Sequence, residues 1–290
     1  MPPTHPESAR PSTDLDSLVE EAVTGAGPAG TVSLWYGGPD GTAWYTRAAE
    51  EEHYAASTMK LPLLVAAYRR EERGELDLDA EVPVHNRFAS AADGSPFALE
   101  QAEDQDDETW AALGTSVPLR RLARHSIVRS GNLATNLLLE RVGAGEVAEV
   151  VKAAGCSPAT RVTRGIGDAV ARECGLDNVV TAADLAVMMC AVASCTIAAP
   201  STCEAMEEVL AAQQHRDGVP AGLPPGTYTA NKTGWVEGVA HDVALVRPQA
   251  AEPYVVAVCT TTDLSETAAN ALVADLSRAI WTAHTRRSGS

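Results

Sequence analysis

Hydrophobic residues follow two different spacings along the 290-residue chain. Through most of the middle they recur every three or four positions, which is typical of amphipathic helices, while shorter runs rich in valine and threonine near both ends are typical of strands. Helices are predicted over residues 14–23, 57–72, 118–128, 133–142, 146–154, 181–193, 204–214 and 267–284. Strands are predicted over residues 31–36, 42–46, 227–233, 241–247 and 254–261.

The order of these elements predicts the architecture. Strands lie at both ends and helices fill the middle, so we expect an α/β protein of the α+β kind, with a mostly antiparallel sheet built from both termini and flanked by helices. An all-helical subdomain is inserted between the two sets of strands. The predicted units are a disordered N-terminus (1–12), an α/β subdomain (13–56 and 215–290) and the helical subdomain (57–214).

Composition argues against several classes of protein. The net charge of -17 disfavours nucleic acid as a partner, because phosphate binding needs a basic surface. No apolar run approaches the length of a membrane span, and residues 1–6 lack the pattern of a secretory signal. We therefore expect a cytoplasmic protein, or a secreted one whose signal has been removed. The acidic run 100–108 is expected to be an exposed loop and not a site.

The six cysteines match no zinc-binding spacing and include no C-x-x-C motif. Without a secretory context, we expect small buried residues or free thiols, and not a disulfide framework. The sequence indicates no metal and no cofactor.

The most informative stretch is Ser57-x-x-Lys60, followed by apolar residues 61–68. On a helix that starts near Ser57, the two side chains lie on one face, one turn apart. A buried lysine loses its proton easily, so a neutral Lys60 could take the proton of Ser57 and make it a nucleophile. Isolated S-x-x-K sequences are common by chance, but lysine is rare here, because the 22 basic residues include just Lys60, Lys152 and Lys232.

Two further motifs carry similar side chains. Ser130-x-Asn132 lies between two predicted helices, where polar groups can face a cleft, although alone it is typical of a helix cap. Lys232-Thr233-Gly234 lies on the first strand after the helical segment, where Gly234 alone could mark a bulge. The order S-x-x-K, S-x-N, K-T-G is much more specific than any one of the three.

With these motifs the chain resembles the serine β-lactamase and penicillin-binding-protein superfamily, and class A β-lactamases most closely. The resemblance extends from about residue 31 to residue 281, and its clearest parts are residues 56–62, 132–139, 216–224 and 241–246. It implies a serine hydrolase that forms an acyl-enzyme on Ser57 and uses no cofactor and no metal. The partner would be a small-molecule acyl donor, a β-lactam-like amide or ester that bears a carboxylate.

The resemblance implies a catalytic role for four residues. Ser57 would attack an acyl carbonyl, and Lys60 would be its base or would assist the base. Ser130 would relay a proton to the leaving group, helped by Lys232.

The resemblance also implies substrate-binding residues. Asn132 would orient a substrate amide, and Thr233 with Lys232 would bind a carboxylate. The oxyanion hole would consist of the backbone N–H groups of Ser57 and of Trp235, which follows Gly234. The indole ring of Trp235 is equally well explained as cover for the edge of the sheet.

One loop departs from the resemblance. Class A β-lactamases carry an Arg-x-Glu-x-x-x-Asn pattern whose glutamate activates the deacylating water. Here Arg164 is followed by Ile166 and Val170 at the expected glutamate and asparagine positions. The nearest acids, Asp168 and Glu173, are displaced by at least two residues, too far for a general base unless the loop refolds. For Asp168 we expect an ion pair with a loop arginine.

The sequence therefore predicts a serine hydrolase that turns β-lactams over poorly. Three alternatives stay open: a genuine β-lactamase with a different deacylating base, an acyltransferase or esterase of specialised metabolism, and a non-catalytic relative that only binds ligands.

Overall fold

The computed structural model describes residues 13–288, so the predicted disorder of residues 1–12 lies outside the described residues. The helices are α1 (Thr13–Ala26), α2 (Lys60–Glu72), α3 (Asp107–Ala111), α4 (Leu119–Val128), α5 (Asn132–Val142), α6 (Ala144–Ala153), α7 (Ala169–Glu173), α8 (Ala182–Ala193), α9 (Pro200–Ala211) and α10 (Glu266–Ser288). The strands are β1 (Gly30–Gly37), β2 (Ala43–Arg47), β3 (His53–Tyr54), β4 (Glu81–Pro83), β5 (Phe88–Ala89), β6 (Pro96–Phe97), β7 (Ser116–Pro118), β8 (Val179–Val180), β9 (Tyr228–Val236), β10 (Val239–Arg247) and β11 (Tyr254–Thr262).

The main sheet has five antiparallel strands in the order β2-β1-β11-β10-β9. Two of them come from the start of the chain and three from its end, as the sequence predicts, and the α+β architecture is confirmed. In the register of β9 and β10, Thr233 lies opposite Asp242 and Gly234 lies opposite His241. Strand β9 is one edge of the sheet, so its outer side is available to a ligand.

The two faces of this sheet bury two separate hydrophobic clusters. Val243 and Leu245 of β10 belong to the cluster shared with the inserted helices, while Ala244 and Val246 belong to the cluster under α1 and α10. This alternation follows from the two-residue period of a strand. The sheet is therefore covered on both faces, which explains why the central strands β10 and β11 are largely apolar.

The inserted segment is mainly helical, but it is not purely helical. Three two-stranded ladders, β3 with β8, β4 with β7 and β5 with β6, join its loops. These strands are two or three residues long, too short to produce a periodic signal in the sequence. The boundaries proposed at residues 57 and 214 stay a prediction.

Helix α9 begins earlier than predicted. Pro200 occupies its first turn, where the missing N–H of proline is tolerated and its fixed φ suits a helix, so the helix begins at residue 200 and not at 204.

Candidate active site

Ser57 lies in a 3-10 turn (Ala56–Met59) that leads directly into α2 at Lys60. The helix predicted to start near Ser57 begins with this 3-10 turn and becomes α-helical at Lys60. Residues three apart eclipse on a 3-10 turn, so Ser57 and Lys60 share a face. Ala56 has φ +43°, which is costly for alanine, and such strain is concentrated at functional sites. Within residues 13–288 the structure shows no hydrogen bond from Ser57 Oγ, so its contact with Lys60 stays a prediction.

Lys60 is fully buried among polar groups. Its Nζ donates to the carbonyl O of Ser130 at 2.7 Å and to Oδ1 of Asn132 at 2.9 Å. Burial lowers the pKa of Lys60 to about 7, although the carboxylates of Asp104 and Asp106 oppose the shift. Near neutral pH much of the amine is therefore uncharged. Its two N–H groups then satisfy the two carbonyl oxygens, and its lone pair is left to accept a hydroxyl proton.

Ser130 lies between the two buried lysines. Its Oγ is 3.1 Å from Nζ of Lys232 and 3.4 Å from Nζ of Lys60. Lys232 also donates to the carbonyl O of Thr233 at 2.8 Å, and burial together with repulsion from Lys60 lowers its pKa. Ser130 has φ +57°, a second strained residue at this site. A hydroxyl held between two amines can pass a proton from one to the other.

Gly234 allows β9 to approach the turn that carries Ser57. A Cβ atom at this position would lie 2.8 Å from the backbone N of Thr58 and 3.0 Å from that of Ser57. Any side chain would therefore push the strand away from the turn. The next residue, Trp235, packs its indole ring on His215 with 4.8 Å between ring centroids. The predicted oxyanion hole of Ser57 and Trp235 requires β9 to approach the Ser57 turn closely, as it does here. The indole ring of Trp235 is half-buried because it packs on His215.

An open cavity of about 350 Å³ lies over these groups. Its lining residues are Tyr54, Ala56, Ser57, Glu103, Gln105, Ser130, Asn132, Ile166, Trp235 and Val236. Four predicted site residues are among them, and both buried lysines donate hydrogen bonds to its walls. The structure thus brings the S-x-x-K, S-x-N and K-T-G motifs to one cleft.

Thr233 and Gly234 are predicted substrate-binding residues that do not line this cavity but a smaller one beside it, which shares Trp235. Side chains alternate along β9, so Thr233 faces the side of the sheet opposite Lys232. It lines a second, smaller cavity together with His215 and Gly234. Its Oγ1 is buried and has no hydrogen-bond partner among the residues that the structure describes.

The acidic run 100–108 forms part of the site, so the prediction of a loop outside it is wrong. The carboxylate of Asp104 accepts hydrogen bonds from the backbone N–H groups of Asn132 and Leu133, each at 2.8 Å. The carbonyl O of Glu103 accepts from Nδ2 of Asn132 at 3.1 Å. Helix α5 has Gly131 at its N-cap and no side-chain cap there, so Asp104 satisfies N–H groups that the helix itself leaves without an acceptor.

The loop opposite Ser57 is fixed by Asn136. Its Oδ1 accepts from the backbone N of Ile166 and its Nδ2 donates to the carbonyl O of Ile166, both at 2.8 Å. This pair of bonds holds Ile166 at the cavity wall. The resemblance to class A β-lactamases implies a glutamate at this position. Sequence reasoning did not identify Asn136, although a buried asparagine inside an apolar helix is itself a signal of such a clamp.

Asp168 and Glu173, the two loop acids nearest to the expected glutamate position, both lie away from the main cavity. Asp168 is buried and accepts from Oγ of Ser90 and from the backbone N of Ala91, both at 2.8 Å. The expected ion pair between Asp168 and a loop arginine is wrong, because Arg164 pairs with Asp177 at 3.2 Å. Burial in a polar niche explains why a carboxylate needs no arginine there. Glu173 is exposed and, like Asp168, is not part of the cavity wall.

Other features of the described residues bear less on the chemistry. All six cysteines are free thiols. No helix within residues 13–288 is long and apolar enough to cross a membrane. The same residues contain no cluster of three or more His, Cys, Asp or Glu suited to a metal ion.

This α+β fold, with two buried lysines around Ser130 and a serine at the start of a helix, defines a serine hydrolase of the acyl-enzyme type. The model of the beta-lactamase enzyme family matches residues 13–284, and the chain belongs to that family. Comparison with curated proteins finds no match.

Several solved structures have the same fold. A beta-lactamase from Sphaerobacter thermophilus DSM 20745 is 25% identical, with a TM-score of 0.80 over 96% of this chain and 98% of that one. PBP-A is 22% identical, with a TM-score of 0.79 over 97% of this chain and 99% of that one. An ancestral class A beta-lactamase is 21% identical, with a TM-score of 0.76 over 93% and 99%.

Proposed function

We propose that the protein forms a long-lived acyl-enzyme on Ser57 with β-lactams and related amide or ester donors. The observation that carries this proposal is the set of contacts of Lys60, a buried amine whose hydrogen-bond donors are directed at Ser130 and Asn132. A structural neighbour, a variant of PBP-A captured as an acyl-enzyme complex with penicillin G, supports the choice of donor.

Acylation follows from the geometry of the lysines. Neutral Lys60 takes the proton of Ser57 as its Oγ attacks the acyl carbonyl. The backbone N–H groups of Ser57 and Trp235 stabilise the oxyanion that develops. Ser130 then delivers its proton to the departing nitrogen or oxygen and takes up the proton that Lys60 received from Ser57, while Lys232 holds the Ser130 hydroxyl in place.

Deacylation lacks an equivalent base on the loop. A water molecule must lose a proton as it attacks the acyl-enzyme, and a positioned carboxylate typically contributes about 10²–10⁴-fold to such a step. Ile166 offers only an apolar side chain at the cavity wall. The acyl-enzyme is therefore expected to accumulate.

Intact mass spectrometry after mixing with penicillin G tests the proposal. The expected result is one added penicilloyl group that persists after the excess β-lactam is removed. Ser57→Ala is the necessary control, because the free thiols, including exposed Cys174, could also react. An adduct of equal size and rate on the Ser57→Ala variant, or no adduct on the wild type, would contradict the proposal.

A second candidate, a β-lactamase with a different deacylating base, is favoured by the position of Glu103. Among the residues that the structure describes, Glu103 is the one carboxylate that lines the main cavity. Its backbone is held beside Asn132. If rapid turnover of penicillin G is observed and Glu103→Gln makes the adduct persist, this second function replaces the first.

A further inference from the structure

The glycine in the middle of the Ser130-x-Asn132 motif has a neighbour that fills its side-chain space. Gly131 has φ -61° and ψ 126°, a conformation that any residue adopts, so its backbone does not require glycine. A Cβ atom at this position would lie 2.7 Å from Cβ of Asp106 and 2.9 Å from its Oδ2. Non-bonded atoms do not approach so closely, so a side chain at position 131 and the aspartate at 106 exclude each other.

The carboxylate of Asp106 is fully buried and is held by groups from two helices. Its Oδ2 accepts a hydrogen bond from Nδ1 of His125 on α4 at 2.9 Å and another from Oγ1 of Thr109 on α3. Nε of Arg129 lies 3.8 Å from Oδ1. Burial alone would raise the pKa of Asp106, but the bonds from His125 and Thr109 outweigh it and lower the pKa, so the group is ionised at neutral pH. A buried anion with these partners has one well-defined position.

The turn that Asp106 contacts carries Ser130. The φ of +57° at Ser130 is costly, and such a conformation persists only where the surrounding groups determine it. The backbone N of Ser130 donates to the carbonyl O of Ile127 at 3.2 Å. The backbone N of Gly131 donates to the carbonyl O of His125, also at 3.2 Å, so His125 bonds to both the turn and Asp106. Because Oγ of Ser130 must face the departing atom, a displacement of about 1 Å can cost about 10²-fold in rate.

We infer that Asp106 is a positioning residue that holds the Ser130 turn in place for proton delivery to the leaving group. It acts from the space that a side chain at position 131 would otherwise fill. The S-D-N form of the motif has an acid at that position, whereas in this chain the acid lies in the run 100–108. The inference rests on the proposed acylation of Ser57. It gives Asp106 a role distinct from that of Asp104, which accepts from the first N–H groups of α5.

A change of leaving group tests the inference. The ring nitrogen of penicillin G needs a proton when its bond to the carbonyl breaks, whereas the nitrophenolate of p-nitrophenyl phenylacetate leaves as a stable anion. Asp106→Gly keeps a tolerated N-cap on α3. In this variant we expect acylation of Ser57 by penicillin G to fall at least about tenfold and acylation by the ester to change less than about twofold.

Intact mass spectrometry measures both rates, with Ser57→Ala as the background. Asp107→Asn, a change of the exposed neighbour on α3, is the matched control and should alter neither rate. Equal losses with the two donors would overturn the inference, because a purely structural role of Asp106 impairs the nucleophile as much as the proton donor.

An exchange of the two residues is a second, independent test. Gly131→Asp alone should lose at least as much acylation by penicillin G as Asp106→Gly does, because the introduced side chain collides with Asp106. The double variant Gly131→Asp with Asp106→Gly should recover to within about threefold of the wild type, since the introduced carboxylate can enter the vacated space beside His125.

The double variant decides the outcome even where a single variant does not fold. A double variant that fails to fold, or that acylates no faster than the slower single variant, overturns the role of Asp106 while acylation of the wild type still supports the proposed function. If neither donor acylates Ser57 in the wild type, the proposed function fails and the role of Asp106 fails with it.

Discussion

The two walls of the main cavity have different chemistry. On the wall formed by α2, the Ser130 turn and β9, three polar side chains are buried in mutual contact, and two of them are lysines with lowered pKa values. On the opposite wall, the loop places Ile166 at the cavity and directs its nearby acid, Asp168, into a separate niche. This difference is the basis of the proposed function: side chains suited to acylation are in contact on one wall, and neither Asp168 nor Glu173 of the opposite loop lines the cavity.

The largest expected effect tests the acylation wall. Lys60→Met keeps a long apolar side chain but removes the base and leaves the carbonyl of Ser130 without its donor, so we expect acylation by penicillin G to fall by about 10³-fold or more. Lys152→Met is the matched control, since Lys152 is the one lysine outside the motifs and is exposed on α6. The time course of adduct mass measures both. An unchanged rate in Lys60→Met would remove this lysine from the mechanism.

The next effect tests the opposite wall. Ile166→Glu places a carboxylate at the cavity, on a backbone that Asn136 already holds at two points. We expect the acyl-enzyme lifetime to shorten by about 10²-fold, at the lower end of what a positioned base contributes. Ile166→Gln has nearly the same shape without the base and should keep the long lifetime. Equal lifetimes in the two variants would mean that the loop does not reach the acyl group.

The sequence determines some contacts of this site and leaves others undetermined. The three motifs predicted that Ser130 and the two lysines share one site, and the structure places them in hydrogen-bond contact, whereas the contact of Ser57 with Lys60 stays a prediction. The contacts of Asp104 and Asn136 were not predicted, because each bonds to backbone groups that are distant in sequence, and no local spacing records such a bond. Likewise, the two-residue strands of the inserted segment are defined by their hydrogen bonds to a partner strand, and two residues alone give no pattern in the sequence.

A smaller effect concerns the pH dependence of acylation. The pKa of Lys60 is lowered to about 7, and the reactive form is the neutral amine, so the acylation rate should rise with pH and level off above about 7. Asp104 raises the pKa of Lys60, so Asp104→Asn should move the midpoint of this rise to lower pH. Asp107→Asn, an exposed change in the first turn of α3, is the control. A midpoint that stays fixed or moves to higher pH would contradict the role given to Asp104.

The smallest expected effect on the acyl-enzyme lifetime comes from removing the side chain of Asn136, which holds the loop; the main effect of this change is on stability. Asn136→Ala leaves the backbone N–H and C=O of Ile166 without their side-chain partner, which should reduce the free energy of unfolding by about 2 kcal/mol. Ser277→Ala, which removes one buried bond to Val219 on the other face of the sheet, is a stability control expected to cost about 1 kcal/mol. Denaturant unfolding measures both.

In neither variant should the lifetime of the acyl-enzyme change by more than about threefold, since a loop that supplies no base has no base to displace. A much larger change in Asn136→Ala alone would show that the loop takes part in deacylation after all. The contrast between the two walls would then reflect how the loop orders water and not which side chains it carries.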